Sequence, residues 1–390
     1  MEASKKLRSL IVAAAVCLGL LAAGPAAAAD KVKIGASYPL SGGVAQAASW
    51  VVEGIKMAAK EINQAGGVQV GGKKMPLEIV LYDSKCDPTS AVAAVEKMIN
   101  RDNVVAITGD YCSSATLAQR EVSGRHEIVQ ITPISVNPKI TQPGYPYMFR
   151  LCNTIGMYAE PFVEFVAKKM PGVKSVGFLA ITDDYGRSAV DIYTKLFPAK
   201  GVKVKAVEYF KHGDTDFYTQ ITKIVNTKPD AIYIVTDEDA QNIGTLKQLK
   251  ELGYKGKIFG CSTYCTDNMV KLGGKKLLEG LYVEGPSFEL FKEEPQIKAW
   301  QARYNKLYGR DGNAFSLWGY QSVIILADVI KNAGTTTDKK KIQKAMAGFD
   351  LSKVMGYHGK PHFDKNGQTH PTLGVVQYQD GKRVPVYPKK

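Results

Sequence analysis

Two successive runs of alternating strand-like and helix-like segments constrain the fold of this 390-residue chain more than any other feature. The first run begins with KVKIGASYP at residue 31 and ends with IVQITP at residue 133. The second begins after Arg150 and ends with KIFG at residue 260. Strands joined through helices by short connections form right-handed crossovers and a mostly parallel sheet. The sequence therefore predicts an α/β protein with two doubly wound lobes.

The segment after the second run complicates a simple division into two lobes. Two long amphipathic helices are predicted near 296–307 and 315–332, followed by a strand pair around FDKNGQTH (363–370), where Asn366-Gly367 favours a tight turn. Because the first lobe needs helices on both faces of its sheet, we assign the two long helices to it. The predicted lobes are residues 30–152 with 286–355, and residues 153–285 with 356–390.

The N-terminus has the composition of a secretory signal peptide. Lys5, Lys6 and Arg8 precede an apolar run from Leu10 to Leu21, and small residues stand before Asp30. We predict a signal peptide at residues 1–29, whose removal leaves 361 of the 390 residues and exports the protein to the periplasm. The sequence after it contains no apolar stretch long enough to span a bilayer.

The charge and the motifs of the chain exclude several classes of function. The formal net charge is +14, and it becomes +12 when the leader takes away three basic residues and one acidic residue. This charge favours solubility and attraction to anionic surfaces, and export argues against a nucleic-acid partner. The sequence lacks the glycine-rich loops that bind nucleotides, and its histidine spacing does not indicate a metal site. We therefore predict a monomer without catalytic residues, cofactor or metal.

Five cysteines remain after the predicted cleavage. Cys86 follows the strand-like LEIVLYD and Cys112 follows VVAITG, so both lie at strand exits of one sheet, and an oxidising compartment favours a disulfide between them. Cys261 and Cys265 are a weaker second pair, which the sequence leaves open together with the pairing of Cys152. An odd total leaves one thiol free.

A helix is predicted to begin directly after Cys112, with Ser113 and Ser114 in its first turn. The unpaired N–H groups and the positive end of the helix dipole favour a carboxylate there. In open α/β sheets, ligands bind beyond the carboxyl ends of the strands. The loops at these ends are rich in small, hydroxylated and aromatic residues, with acids mainly in the second lobe. This composition favours a zwitterion, or a carboxylate with an apolar body.

A series of motifs along the chain identifies a family. In order, SYPLSGGVAQ, YDSKCDPTSAV, GDYCSSAT, TPISVNPKIT, GYPYMFR, DDYG and MGYHGKPHFDKNG resemble the periplasmic branched-chain amino-acid (leucine/isoleucine/valine) binding proteins of ABC transporters, over residues 32–381. The resemblance implies a type I periplasmic binding protein with three crossings between its lobes. It also implies the Cys86–Cys112 disulfide, a ligand trapped by lobe closure, and delivery to an ABC permease in the inner membrane.

The resemblance also implies roles for individual residues in the first lobe. Ser113 matches a serine whose hydroxyl and backbone N–H hold the ligand carboxylate. Ile134, Ser135 and Val136 align with a segment that offers a backbone carbonyl and a threonine, which Val136 replaces. Other matched or nearby positions line the side-chain pocket in the family, and here they are Tyr111, Phe315 and Trp50.

In the second lobe, the resemblance includes departures at the ammonium end of the ligand. Tyr185 matches a tyrosine that reaches across on closure, whereas Ser262 stands where the family has a glutamate. Asp237 or Glu238 falls near a second-lobe tyrosine of the family. A buried ammonium without an acceptor is unfavourable, so either an acid of the segment 237–239 replaces the glutamate or the ligand has no ammonium.

These observations predict a solute-binding protein of an ABC importer whose ligand is an amino acid or a similar small carboxylate. Two alternatives stay open at this point. One is a receptor for a non-amino carboxylate, such as an aromatic acid held among Trp50, Tyr111, Tyr185 and Phe315. The other is a ligand-binding partner of a sensor.

Overall fold

Two large β-sheets, each flanked by helices, organise the chain. The computed structural model describes residues 30–388, so the predicted signal peptide at 1–29 lies outside the described residues. The strands are β1 (Val32–Tyr38), β2 (Val68–Val70), β3 (Lys73–Met75), β4 (Leu77–Asp83), β5 (Ala106–Gly109), β6 (Gln130–Thr132), β7 (Met148–Arg150), β8 (Ser175–Ile181), β9 (Lys203–Phe210), β10 (Ala231–Val235), β11 (Lys257–Gly260), β12 (Tyr282–Gly285), β13 (Gly374–Gln379) and β14 (Lys382–Tyr387). The α-helices are α1 (Ala45–Gln64), α2 (Pro88–Asn100), α3 (Ser113–Arg125), α4 (Ile155–Lys169), α5 (Asp184–Ala199), α6 (Tyr218–Asn226), α7 (Asp239–Glu251), α8 (Asp267–Gly273), α9 (Lys275–Leu278), α10 (Ser287–Phe291), α11 (Pro295–Tyr308), α12 (Ala314–Ala333) and α13 (Lys339–Ala347).

The first sheet is parallel and has the strand order β4-β1-β5-β6-β7. Its interior strand β1, between β4 and β5, is buried along almost its whole length, and Ile34 pairs with Ile79 on one side and Ala106 on the other. Continuous burial is typical of parallel strands that helices cover on both faces. The predicted series of βα units is therefore confirmed for the first lobe.

The second sheet has the order β14-β13-β12-β11-β10-β8-β9, and its pairings are parallel except for β14–β13 and β13–β12, which are antiparallel. The antiparallel β13–β14 hairpin turns at Asp380 and Gly381, both of which have positive φ. The predicted strand pair at 363–370 is wrong: this segment forms a tight turn, and only Gln368 makes a single parallel bridge, to Arg150. Asn-Gly favours the turn itself, but the segments beside a turn become strands only where neighbouring strands pair with them. In this part of the chain, the residues with such partners are those of β13 and β14.

Helices α1 and α12 pack against each other unusually closely in the first lobe. A Cβ added at Gly54 would lie 2.0 Å from the carbonyl oxygen of Ser316, and one added at Gly319 would lie 2.3 Å from that of Val51. Glycine at both positions therefore allows backbone to touch backbone. The prediction that the long C-terminal helix belongs to the first lobe is consistent with this contact.

The chain passes between two hydrophobic cores three times. Residues of the first core include Leu151, Phe288 and Phe363, whereas Ile155, Val283 and Val375 belong to the second. The crossings therefore lie at 151–155, 283–288 and 363–375. The division of the sequence into lobes stays a prediction, but its third boundary at 355 should move toward β13, because the ring of Phe363 packs on Phe149 with centroids 5.2 Å apart.

Candidate functional site

A cavity lies between the lobes, beyond the carboxyl ends of strands from both sheets. The space open to the centre of a water molecule is about 30 Å³. The cavity is lined by Tyr111, Cys112, Ser113, Ile134, Val136, Tyr158, Tyr185, Asp237, Ser262, Thr263, Phe315 and Trp318. Nine of the thirteen residues predicted from the sequence are among them, and their roles toward a ligand stay predictions.

The start of α3 faces this cavity from the first lobe. Cys112 is the N-cap in an extended conformation, and no side chain in the described range caps this helix end. The hydroxyl oxygen of Ser113 accepts a hydrogen bond from the backbone N–H of Asn137 at 3.3 Å, which leaves its proton available for another acceptor. The helix start therefore presents N–H groups and a hydroxyl donor, the arrangement that binds a carboxylate.

A disulfide and a buried carboxyl hold this helix start in place. The predicted bond between Cys86 and Cys112 is present, with the two Cα atoms 5.4 Å apart. Asp110 accepts from the backbone N–H of Cys112 and from the side-chain amide of Gln119, each at 3.0 Å. Burial raises the pKa of Asp110 to about 6, against the effect of these hydrogen bonds. Asp110 was not predicted, and its position two residues before the cysteine is the sequence feature that could have indicated it.

Asp237 faces the cavity from the second lobe, at the end of β10. Its Oδ1 atom is buried and has no hydrogen-bond partner among residues 30–388. The nearest cation is His212, whose Nδ1 lies 3.6 Å from that oxygen. Burial, with the charges of Asp183 and Glu238, raises the pKa of Asp237 to about 7, while His212 opposes the shift. Asp237 is therefore a buried carboxyl in the cavity wall, which is ion-paired with His212 and can still accept a hydrogen bond.

His212 lies within a group of acids next to this carboxyl. Its Nδ1 is 3.0 Å from Glu238, and its Nε2 is 3.5 Å from Asp183. Burial alone would lower the pKa of His212, but the hydrogen bonds to Asp183 and Glu238 and the charge of Asp237 raise it to about 10. The imidazolium therefore offsets one of three negative charges, and the group keeps an excess of acid.

Aromatic side chains line the part of the cavity between the two polar ends. The rings of Tyr111 and Phe315 are in edge-to-face contact with centroids 5.9 Å apart, and Phe315 also contacts Trp318. The buried hydroxyl of Tyr111 has no partner in the described part of the chain. Burial raises the pKa of Tyr111 well above its usual value, and the charge of Asp237 adds to the effect.

The structure corrects four of the sequence predictions, because these side chains do not line the cavity. Trp50 lies beneath the guanidinium of Arg310, whose carbon is 3.5 Å from the ring centroid. The hydroxyl of Ser135 donates to the carbonyl of Asp110. Ser114 follows Ser113 in the same helix and therefore points in a different direction. Glu238 lies beside Asp237 but does not line the cavity, because its carboxyl contacts His212 and the backbone N–H of Gly213.

Three lining residues were not predicted: Tyr158, Thr263 and Trp318. Thr263 follows Ser262 in a 3₁₀ turn, and Trp318 stands one helical turn after Phe315, so both could have been inferred from their neighbours. Tyr158 lies within α4, and nothing in its local sequence distinguishes it from a core tyrosine.

The second cysteine pair does not form a disulfide. Cys152, Cys261 and Cys265 are buried free thiols, so three thiols are free instead of one. The thiol of Cys261 contacts the carbonyl of Thr236, whereas that of Cys265 contacts the carbonyl of Glu284. The 3₁₀ turn between the two cysteines directs their sulfur atoms to different neighbours, which a spacing of four residues does not reveal.

One group of side chains resembles a metal site by distance alone. Ligand-type atoms of Cys86, His212 and Asp237 lie within 4.8 Å of one another. The sulfur of Cys86 is in the disulfide with Cys112 and cannot act as a thiolate ligand. The short distances instead show that Cys86 of the first lobe lies close to His212 and Asp237 of the second lobe.

Comparison with known proteins agrees with this architecture. The sequence profile of periplasmic binding proteins matches residues 31–383. The "Leucine-, isoleucine-, valine-, threonine-, and alanine-binding protein" of Pseudomonas aeruginosa is 29% identical over 340 residues, which are 87% of each chain. An "Amino acid binding protein" of the same organism is 29% identical over 97% of this chain and 98% of its own. A leucine-binding protein of Thermotoga maritima superposes with a TM-score of 0.82 at 26% identity, covering 91% of this chain and 97% of its own. The chain belongs to the periplasmic binding protein family.

Proposed function

We propose that this chain is the solute-binding component of an ABC importer and that it captures an α-amino acid whose side chain has an apolar body, or a close relative, between its lobes. The relatives from Pseudomonas aeruginosa support this proposal, because both are named as amino-acid-binding proteins. The loaded, closed form then delivers its ligand to a permease in the inner membrane.

The unpartnered Oδ1 of Asp237 is the observation that carries the proposal. A buried carboxylate oxygen that accepts no hydrogen bond destabilises the protein by roughly several kcal/mol unless a donor reaches it. The start of α3 attracts a carboxylate at another wall of the same cavity. A ligand that carries both charges, joined by a short carbon framework, satisfies both walls. In this proposal Asp237 takes the role of the glutamate that Ser262 replaces.

The hydroxyl of Tyr111 gives the ammonium a second acceptor. It is buried and unpartnered among residues 30–388, and it lies near enough to Asp237 for the two to interact electrostatically. A primary ammonium has three donors, so it can bond Asp237 and Tyr111 together. The apolar side chain of the ligand then contacts Phe315 and Trp318.

The proposal places the mature protein in the periplasm as a monomer without catalytic activity. The family is periplasmic, and residues 1–29 have the composition of a cleaved leader. Within residues 30–388, no helix has both the length and the apolarity that crossing a membrane requires. Export and cleavage of the leader are tested by sequencing the N-terminus of protein recovered from the periplasm, which should begin at Asp30.

Calorimetric titration of the purified protein tests the ligand class. The panel pairs each L-amino acid with the carboxylic acid that lacks the amino group, such as leucine with 4-methylpentanoate, and adds benzoate. We expect an amino acid to bind at least about a hundredfold more tightly than its deaminated partner, because the unpaired Asp237 disfavours the latter. Preference for benzoate or a deaminated acid would instead support the non-amino carboxylate receptor. Stimulation of the permease ATPase by the loaded protein separates transport from sensing.

A further inference from the structure

A second, smaller cavity adjoins the ligand cavity on the side of the second lobe. The two cavities share Val136, Tyr158, Tyr185 and Ser262 in their walls, so these side chains form the boundary between them. The space open to the centre of a water molecule in the smaller cavity is about 10 Å³. This volume suits a single water-sized group. We call this cavity the inner chamber.

The inner chamber ends at the buried carboxyl of Glu284 on β12. Its Oε1 atom accepts hydrogen bonds from the hydroxyls of Tyr193 and Tyr233, the latter at 2.6 Å. Its Oε2 atom accepts from the backbone N–H of Ser262 at 3.2 Å. A carboxylate oxygen has two acceptor positions, so Oε2 can take one more donor. Burial raises the pKa of Glu284 to about 7, while the two tyrosine hydroxyls lower it.

The other walls combine apolar side chains with two further phenols, Tyr158 and Tyr185, and the thiol of Cys261. Ile155, Ala189 and Val235 supply the apolar surface. Tyr158 lies on the boundary with the ligand cavity, and its hydroxyl contacts the side chain of Ser262. The short side chain of Ser262 is the smallest part of this boundary. A group on a ligand held in the outer cavity therefore meets the inner chamber at Ser262.

These features define what the inner chamber can accept. It offers one acceptor position on Glu284, the phenols of Tyr158 and Tyr185 on the boundary, and space for one polar atom. A second ammonium would be desolvated among apolar side chains beside a carboxyl that already receives three hydrogen bonds, which is unfavourable. A hydroxyl group donates one bond, accepts others and has the size of a water molecule, so it matches the chamber.

We propose that the side chain of the ligand ends in a hydroxyl group, which enters the inner chamber past Ser262, donates to Glu284 and bonds Tyr158. This inference rests on the proposed function, because the carboxylate must be held at α3 for the opposite end to reach the chamber. It narrows the ligand class to hydroxylated small carboxylates.

Matched ligand pairs test the proposal by calorimetry on the full mature protein. Each pair differs by a hydroxyl: tyrosine and phenylalanine, threonine and valine, 4-hydroxybenzoate and benzoate. We expect at least one hydroxylated member to bind about tenfold or more tightly than its partner, because a site built around a hydroxyl disfavours an analogue that leaves its polar groups unpaired. In Glu284→Gln and in Tyr158→Phe, that ratio should fall to about one to three.

Tyr378→Phe is the matched control. Tyr378 is another buried tyrosine of the second lobe, and its hydroxyl donates to the carbonyl of Tyr264 at 2.5 Å, away from both cavities. This variant should keep the wild-type ratio. If Glu284→Gln fails to fold, Tyr158→Phe decides the result on its own.

Three outcomes would overturn the inference. They are ratios near one for every pair in the wild-type protein, an unchanged ratio in Tyr158→Phe, and stronger binding of an amine-terminated ligand such as ornithine. If both members of each pair bind equally and Ser113→Ala still loses affinity, the inner chamber has no role in ligand binding, but the proposed function stands. If no small carboxylate binds, both the role of the inner chamber and the proposed function are excluded.

Discussion

At the scale of single residues, the polar groups of the cavity differ in whether the protein already satisfies them. Glu284, in the inner chamber, is hydrogen-bonded within the chain, whereas the hydroxyl of Tyr111 and one oxygen of Asp237 in the ligand cavity accept no hydrogen bond in the range 30–388. Buried polar groups are usually hydrogen-bonded, so these two atoms are available to a ligand in the cavity. The hydroxyl oxygen of Ser113 accepts a hydrogen bond from the backbone N–H of Asn137, and its proton is available to donate to a ligand.

Replacing Ser113 by alanine should weaken ligand binding without unfolding the protein. The variant removes one hydroxyl donor to a carboxylate, a bond worth roughly 1.5–3 kcal/mol, or about ten- to a hundredfold in Kd. Isothermal titration calorimetry measures the change. Ser114→Ala is the matched control, since it removes the same hydroxyl from the next position of α3, outside the cavity lining. Equal losses in the two variants would contradict the assigned carboxylate site.

The binding of an amino acid should depend on pH through Asp237. Burial raises the pKa of this group to about 7, so below that pH the ligand must first displace a proton. Affinity for an amino acid should therefore rise by up to about tenfold per pH unit below 7 and level off above it. His212 stays protonated across this range, because its pKa is about 10.

A deaminated carboxylate should show the opposite trend, since it is repelled as Asp237 ionises. Titrations from pH 5.5 to 8.5 in buffers of different ionisation enthalpy measure both the affinity and the proton released. Asp237→Asn should make both profiles flat near pH 7. An amino acid whose affinity falls with rising pH would exclude Asp237 as its acceptor.

At the scale of elements, the turns that follow the strands decide which side chains reach the cavity. Asp237 and Glu238 both lie between β10 and α7, and both carboxyls lie near Nδ1 of His212. Asp237 lines the cavity, whereas the carboxyl of Glu238 contacts His212 and the backbone N–H of Gly213 outside the cavity lining.

The packing of α1 against α12 gives a prediction for stability. Gly319→Ala would place a methyl carbon 2.3 Å from the carbonyl oxygen of Val51, and backbone atoms cannot move aside easily. We expect a loss of roughly 1–3 kcal/mol in the free energy of unfolding, measured by urea denaturation. Gly172→Ala is the control, because a Cβ there meets no atom within 4 Å and should change stability little. Equal midpoints for both variants would contradict the close helix contact.

At the scale of the whole molecule, function depends on contacts that exist only when the lobes meet. The side-chain amide of Asn137, from the first lobe, donates to the backbone carbonyl of Asp184 in the second at 2.9 Å. The carboxyl of Glu238 approaches Gly43 so closely that an added Cβ would lie 2.6 Å from it. These contacts stabilise the closed form, and a ligand that binds both lobes shifts the population toward it.

Gly43→Ala should therefore weaken binding although residue 43 does not line the cavity. The methyl group meets the carboxyl of Glu238 only in the closed form, so the free protein should keep its stability while Kd rises by about three- to tenfold. Small-angle X-ray scattering with saturating ligand should still show closure. Adding Glu238→Ala to this variant should restore affinity by removing the opposing carboxyl. A loss of unliganded stability as large as the loss of binding would argue against a closure effect.

How much the sequence predicts follows from the range of the interactions involved. The βα order, the α3 start after Cys112 and the disulfide depend on local periodicity and on positions at strand exits, so they were predicted correctly. Trp50 was assigned to the pocket from its residue type and a nearby family position, but its helix face turns it toward Arg310. Side-chain direction depends on packing partners far away in sequence, which periodicity does not encode.

The sequence by itself determined the two doubly wound lobes and the start of a helix after Cys112, because hydrophobic periodicity and helix-start signals act within a few residues. Only the tertiary structure decided that Asp237, not Glu238, faces the cavity, that Cys261 and Cys265 stay apart, and that Glu284 lies behind Ser262. These outcomes depend on which side chains from distant strands meet at the cleft. Which side chains come together there depends on how the two separate hydrophobic cores pack. The local sequence around any one residue does not contain that information.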